Sequence, residues 1–150
     1  MRTFVRHCLP GLALIALISA ILLATGADRR AAGLPRVALF QYASRPVLDD
    51  AMRGVEKGLA ECGFVDGRTI RITRYNAEGD MPTAQNISRL IAGGSFEMAL
   101  TGGTLCLQSL AAANDGRVLH VFGTVTDPYG SGVGIDAADH RRHPPHLVGV

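Results

Sequence analysis

The segment RVALFQYASRP, residues 36–46, joins a compact apolar run to a Ser-Arg-Pro sequence. The run has the composition of a buried β-strand, and a serine shortly before a proline is typical of the start of a helix. The next apolar residues keep the spacing of one helix face: Leu48, Met52, Val55 and Leu59. The helix is expected to end near Cys62-Gly63. The segment therefore predicts a strand followed directly by an amphipathic helix.

The same alternation continues along the chain. Residues 68–75, RTIRITRY, alternate apolar and polar side chains, which indicates a strand with one solvated face near a sheet edge. A helix capped by Asp80 follows and ends at Gly93-Gly94. Its predicted apolar face consists of Ile87, Leu90 and Ile91.

Two more strands, residues 96–101 and 117–125, enclose a third predicted helix over residues 105–114. Strands that alternate with helices through short turns indicate repeated right-handed βαβ units and a largely parallel sheet. The predicted fold class is a three-layer α/β sandwich.

Polar residues cluster where the predicted strands end. Sheets of this class bind ligands beyond the carboxyl ends of their strands. The candidate ligand-binding residues are Gln41, Tyr42, Ser44, Asn76, Thr101, Gly102, Thr104, Thr126 and Asp127. Hydroxyls and helix-start N–H groups suit a carboxylate, and Asp127 suits an ammonium group. The set therefore predicts a site for a small amino-acid-like ligand.

Several of these residues also fit a purely structural role. Ser44, Thr104 and Asp80 stand where helix N-caps are expected, and Gly102 can satisfy turn geometry. Asp127 precedes a proline, which is a common way to start a turn. Only their convergence on one edge of the sheet favours ligand binding.

The N-terminus has the three parts of an export signal in the required order. Arg2 and Arg6 form a positive region, residues 12–23 an apolar region and residues 24–27 a small-residue cleavage region. The apolar stretch also fits an uncleaved membrane anchor. Residues 1–27 are therefore a signal peptide or an anchor, and either predicts an exported chain, periplasmic or on the outer face of the cytoplasmic membrane.

The charge balance gives no support to a nucleic-acid partner. Lysine and arginine total 15 against 13 acidic residues, and Arg2 and Arg6 precede the first acidic residue, so the rest of the chain is neutral.

Cysteine and histidine residues suggest no cofactor. Cys62 and Cys106 could form a disulfide in an oxidising compartment, but their places in two predicted helices favour small buried side chains. The histidines of residues 140–146 recur at every third position, which suits a metal, while the intervening prolines favour a solvated linker. The chain contains no Gly-x-Ser-x-Gly or His-Glu-x-x-His motif. No metal site, no cofactor and no enzyme activity are predicted.

Three segments, residues 37–80, 101–114 and 121–133, carry motifs of one family. The matched motifs are a Leu-x-x-x-Gly-Tyr-like turn at Leu59, Gly63 and Phe64, Asn-Ala-x-Gly-Asp at residues 76–80 and Val-Thr-Asp-Pro at residues 125–128. In these segments the chain resembles the ABC-transporter substrate-binding proteins, in the group with tryptophan- and tyrosine-binding members.

The resemblance implies a type I periplasmic-binding-protein fold, in which two α/β lobes close on a ligand, and an ABC permease in the membrane as partner. Residues 35–135 correspond to the N-terminal lobe, and residues 136–150 to a linker and the start of a crossover to a missing second lobe. The implied function is the extracytoplasmic solute-binding component of an ABC importer, in truncated form. The alternative is a membrane-anchored sensor or accessory domain of the same fold without a transport role.

Overall fold

The computed structural model describes residues 33–150, so the predicted signal peptide or anchor lies outside the described residues. The strands are β1 (Arg36–Gln41), β2 (Arg71–Asn76), β3 (Met98–Gly102), β4 (Leu119–Gly123) and β5 (Leu147–Gly149). The helices are α1 (Pro46–Glu61), α2 (Met81–Gly93) and α3 (Thr104–Ala113).

The strands form one five-stranded sheet in the order β2-β1-β3-β4-β5, and every neighbouring pair is parallel. The predicted α/β class is confirmed, and β2 lies at an edge as its alternating pattern indicated. The chain moves to one side of β1 to form β2 and to the other side to form β3 and β4. The order of the strands therefore reverses between β1 and β3, which is where sheets of this kind open a crevice for a ligand.

Alternate residues of β1 define the two faces of the sheet. Val37 and Leu39 pack with the apolar stripe of α1, and Ala38 and Phe40 belong to a second cluster that includes residues of α2 and α3. The sheet thus has α1 on one face and α2 with α3 on the other, which is the predicted three-layer arrangement. Removal of these side chains from water is the main contribution to the stability of such a core.

Helix α2 corrects one sequence expectation. Ile91 is buried and Ile87 half-buried as predicted, but Leu90 is 53% exposed. The buried face of α2 is completed by the small residues Ala84, Ser88 and Ala92. The Oγ atoms of Ser88 and Ser109 lie 2.8 Å apart, which joins α2 to α3. Small side chains allow this close approach, and the rotation that it requires turns Leu90 toward solvent.

The two cysteines of the described region differ in their surroundings. Cys106 is buried, as predicted, and burial raises the pKa of its thiol to about 12. Cys62 is exposed, so the prediction of a buried side chain is wrong there, because α1 ends at Glu61 and Cys62 follows on the surface. Both thiols are free, and no disulfide forms within residues 33–150.

The segment after β4 returns to the same sheet. Val125, Val133 and Ile135 pack against a cluster that contains Phe122 and Leu147, and β5 pairs with β4. Residues Pro35–Val150 form one compact unit, so the last residues of the chain contribute an edge strand to it. A crossover to a second lobe stays a prediction. Among the described residues, no group of three or more His, Cys, Asp and Glu side chains has metal-binding geometry. No helix of this part of the chain has the length and hydropathy of a membrane span.

Candidate ligand-binding site

The carboxyl ends of four strands form one row. The pairing register places Asn76 beside Gln41, Gln41 beside Gly102 and Gly102 beside Gly123. We call this row, with the loops that follow it at residues 42–45, 77–80, 103–104 and 124–130, the C-terminal edge. The strand-order reversal between β1 and β3 lies at its centre, between Gln41 and Gly102.

Three of the four loops contain a residue with positive φ at or near their start. Gly103 has φ of 93°, and Glu78 and Thr124 have φ of 51° and 59°. A positive φ is unusual for any residue with a side chain and is costly for a β-branched one such as Thr124. Such conformations concentrate at binding sites, where the surrounding structure offsets their cost.

Two helices present uncapped N-termini at this edge. The N-caps of α1 and α3 are Arg45 and Gly103, and no side chain in the described region caps either helix. The expectation that Ser44 and Thr104 are N-caps is therefore wrong. In α2, by contrast, Asp80 accepts a hydrogen bond of 2.8 Å from the Thr83 N–H, as predicted.

The difference has an electrostatic consequence. Hydrogen bonding from Thr83 holds the pKa of Asp80 below its usual value, so α2 carries its own negative charge at this end. The first N–H groups of α1 and α3 have no such partner, and the partial positive charge of a helix N-terminus favours an anion. An incoming carboxylate is therefore favoured at α3, whose first turn contains no acidic residue, over α2; α1 also has uncapped N–H groups but carries Asp49 in its first turn.

Ser44 lies in a polar network instead of capping α1. Its Oγ is 3.0 Å from Nδ2 of Asn76 and 3.5 Å from Nε2 of Gln41, and Gln41 Nε2 also donates to Oδ1 of Asp49 at 2.9 Å. The loops after β1 and β2 are thus joined by side chains at the C-terminal edge, which brings three of the predicted residues together.

Tyr42 joins the same two loops from the core side. Its hydroxyl donates to the Gly79 carbonyl at 2.5 Å, and the Gly79 N–H donates to the Tyr42 carbonyl at 2.8 Å. The ring is half-buried and packs against the core cluster beneath α2. Because its hydroxyl is bonded to the backbone, Tyr42 stabilises the edge more than it offers a donor to a ligand.

Thr101 does not face the C-terminal edge. Its side chain is 2% exposed, and its Oγ1 lies 2.9 Å from Nε2 of the buried His120. Thr101 pairs in register with Phe40 and Phe122, so it points to the α2–α3 face of the sheet. Burial, with a smaller contribution from His146, lowers the pKa of His120 to about 4, so the imidazole is neutral at pH 7.

The remaining predicted residues lie on the β3 and β4 side. Gly102 is buried beneath α1, where a Cβ would overlap Cε of Met52. Thr104 is the first residue of α3 and is half-buried, and Thr126 is exposed. Asp127 is exposed, and its Oδ1 accepts a hydrogen bond of 2.9 Å from the Gly130 N–H, which orients the carboxylate in a tight turn.

A cavity of about 170 Å³ reaches the C-terminal edge between α1 and the first two strands, and Gln41 and Asn76 are among its lining residues. Ligand pockets usually enclose roughly 300 Å³ or more. Arg74 also lines this cavity, but its guanidinium donates to Glu56 at 2.7 Å and to Asp66 at 3.2 Å, which raises its pKa. The Arg74 guanidinium is therefore already paired with two carboxylates of the protein.

A larger groove, of about 410 Å³, lies between α2 and α3 and has Gln85, Arg89 and Gln108 among its lining residues. It is built from helix surface rather than from strand ends. The amide, hydroxyl and carboxylate groups of the C-terminal edge are absent from its lining.

Sequence reasoning missed Asp49 and the positive φ of Glu78 and Thr124. Asp49 lies in the first turn of α1, a position common for acidic residues in helices, so nothing in the sequence indicates its bond to Gln41. Backbone strain at Glu78 and Thr124 depends on the path of the chain and has no sequence pattern. The buried position of His120 was detectable, since it lies inside an apolar strand.

The parallel α/β fold matches solved structures of substrate-binding proteins. A family model described as ABC transporter substrate binding protein matches residues 36–141. The chain therefore belongs to the family of ABC transporter substrate-binding proteins, as the sequence resemblance indicated.

Individual relatives are consistent with this family. A tyrosine-binding protein of Clostridioides difficile (strain R20291) is 33% identical over 98 residues, 65% of this chain. Two solved structures superpose with TM-scores of 0.70 and 26% identity. One is the ligand-free, open form of a substrate binding protein with adhesive properties from Clostridium difficile, and the match covers 77% of this chain. The other is the ABC domain in complex with L-Trp from Streptococcus pneumonia, and the match covers 79% of this chain.

These relatives are longer than the present chain. The chain spans 28% of the tyrosine-binding protein and 38% of each of the two solved chains. The range matched by the family model lies within the compact unit Pro35–Val150.

Proposed function

We propose that this protein is the solute-binding component of an ABC importer and that it binds an aromatic amino acid at its C-terminal edge. The observation that carries the proposal is the meeting of two uncapped helix N-termini with a hydroxyl–amide network at the strand-order reversal between β1 and β3. The names of two relatives, one tyrosine-binding and one in complex with L-Trp, support the choice of ligand class.

The two ends of an amino acid are assigned to opposite sides of the edge. The carboxylate binds at the N-termini of α1 and α3, next to Ser44 and Thr104, where N–H groups and hydroxyls are donors. The ammonium group binds Asp127, whose side chain is held by Gly130. Charge-assisted hydrogen bonds of this kind contribute roughly 1.5–3 kcal/mol each.

The cavity beside Gln41 and Asn76 is smaller than a usual ligand pocket, and the chain corresponds to a minor part of its relatives. We therefore propose that further ligand contacts come from a second lobe, and that this chain alone binds weakly. The chain is proposed to bind its ligand without transforming it and to transfer it to an ABC permease.

Titration calorimetry of the full chain with four ligands tests the assignment. L-tryptophan has both charged groups, and D-tryptophan has both with the opposite configuration at Cα. Tryptamine lacks the carboxylate, and indole-3-propionate lacks the ammonium group. We expect L-tryptophan to bind best and each of the others to lose about ten-fold or more in affinity. Equal affinity for all four would show that the indole ring alone is recognised and would contradict the proposal.

The location of the protein is proposed to be extracytoplasmic, and the fate of residues 1–27 decides how it is held there. Cell fractionation with N-terminal sequencing separates the alternatives. A mature chain that begins near Ala27 or Asp28 supports a released solute receptor, whereas an intact N-terminus in the membrane fraction supports an anchored domain. Recovery of the intact chain from the cytosol would contradict export.

A further inference from the structure

The network around Ser44 determines which atom of the serine is available to a ligand. A hydroxyl has one hydrogen to donate and two lone pairs that accept. In this structure, both neighbouring nitrogen atoms, Asn76 Nδ2 and Gln41 Nε2, approach the Ser44 oxygen as donors. The oxygen therefore accepts from the protein, and its own hydrogen is left to point away from the two amides.

The orientation of each amide is set by a group that can act in one way only. The Asn76 Oδ1 atom accepts a hydrogen bond of 2.9 Å from the Glu78 N–H, which can only donate. The Gln41 Nε2 atom donates at 2.9 Å to Oδ1 of Asp49, and an ionised carboxylate can only accept. Exchange of oxygen and nitrogen in either amide would bring two donors or two acceptors together.

We propose that Asp49 is a positioning residue of the ligand site. Acting through Gln41, it keeps Ser44 as a hydrogen-bond donor that recognises an acceptor on the ligand, such as a carboxylate. This inference rests on the proposed function and extends it. It names Asp49, a residue outside the C-terminal edge, as the one that determines which chemical group of a ligand can bind beside α1. Asp49 itself contacts Gln41 and not the ligand.

The substitution Asp49→Asn separates positioning from simple electrostatics, because the two predict opposite changes. Asp49 is a negative charge close to the proposed carboxylate site, so if charge alone mattered, neutralising it would strengthen binding of L-tryptophan. If Asp49 positions Gln41, an asparagine that offers either a donor or an acceptor lets the Gln41 amide turn over, and Ser44 loses its fixed polarity. We then expect L-tryptophan to bind about ten-fold more weakly, with tryptamine, which has no carboxylate, almost unaffected.

A matched control is available one residue along the helix. Asp50 is exposed and pairs with Arg53, so Asp50→Asn makes the same change in net charge without touching the network. We expect this variant to bind both ligands as the wild type does. The double variant Asp49→Asn with Ser44→Ala should bind L-tryptophan no more weakly than Ser44→Ala alone, because Asp49 acts through Ser44. Additive losses, or tighter binding by Asp49→Asn, would overturn the proposal.

A measurement without ligand keeps this proposal distinct from the proposed function. The side-chain amide protons of Gln41 and Asn76 give their own peaks in ¹H–¹⁵N spectra of the full chain. We expect Asp49→Asn to move the Gln41 side-chain peaks and Asp50→Asn to leave them in place. If L-tryptophan and L-tyrosine fail to bind the wild type, the proposed function fails while this measurement still decides the role of Asp49. Unmoved Gln41 peaks in Asp49→Asn would refute the positioning role whatever the ligand.

Discussion

Acidification should destabilise this protein through His120, which lies three residue pairs before the C-terminal edge on β4. The imidazole is fully buried, and its pKa is about 4 in the folded chain against the ordinary 6.5. Between these values the unfolded chain binds a proton that the folded chain does not, so the free energy of unfolding falls as the pH falls. The slope is about 1.4 kcal/mol per pH unit, which gives a loss of about 2 kcal/mol at pH 5 and about 3 kcal/mol below pH 4. The contribution is complete above about pH 6.5.

Urea unfolding at pH 7, 6 and 5 measures this loss, and His120→Gln is the matched variant. Glutamine keeps a nitrogen that can reach the Thr101 hydroxyl but has no proton to gain in this range. All other titrating groups are common to both proteins, so the stability advantage of the wild type should shrink by about 2 kcal/mol between pH 7 and pH 5. A difference that stays constant with pH would refute the burial of a neutral imidazole.

Three further substitutions test other parts of the structure. Asp127→Ala should lower the affinity for L-tryptophan about ten-fold or more while changing the free energy of unfolding by less than about 0.5 kcal/mol. Gly130→Ala should cause the same loss of affinity, because its Cβ would overlap the Asp127 carboxylate. Calorimetry that finds the affinity of either variant unchanged would contradict the assignment of the ammonium group to Asp127. Gly54→Ala, in open space within α1, should raise the free energy of unfolding in urea by about 0.5–1 kcal/mol and leave binding intact. Asn114→Ala removes a buried side chain whose amide forms hydrogen bonds with three backbone groups between α3 and β4. We expect the free energy of unfolding to fall by about 2–3 kcal/mol, and a loss below about 1 kcal/mol would refute that role.

The fold was predictable because its pattern is repetitive. Apolar runs such as residues 37–40 alternate with helical stripes, and the stripe of α1 packs against β1. The exceptions are positions whose burial depends on contact with another helix. Leu90 fits the apolar stripe of α2 by spacing alone, but the contact between Ser88 and Ser109 sets the rotation of the helix, and no single-sequence pattern specifies which helices will touch.

The positions of the candidate site residues were predictable in part. Topology alone brings Gln41, Asn76 and Gly102 into one row, because parallel strands end at the same edge. Successive side chains along a strand point to opposite faces of the sheet, and this alternation places Thr101 in the core beside His120. Sequence locates the end of a strand only to within a residue or two. It therefore cannot tell which of the last side chains face the core and which face the ligand site.

We propose that an amino acid binds between the N-termini of α1 and α3, with its ammonium group toward Asp127. Mapping of ¹H–¹⁵N chemical shifts during titration of the full chain with L-tryptophan tests it most directly. We predict saturable shifts at the backbone amides of residues 104–106 and of Gly130, and at the side-chain amide of Gln41. Shifts confined to the groove between α2 and α3, at residues such as Arg89 and Gln108, would contradict it.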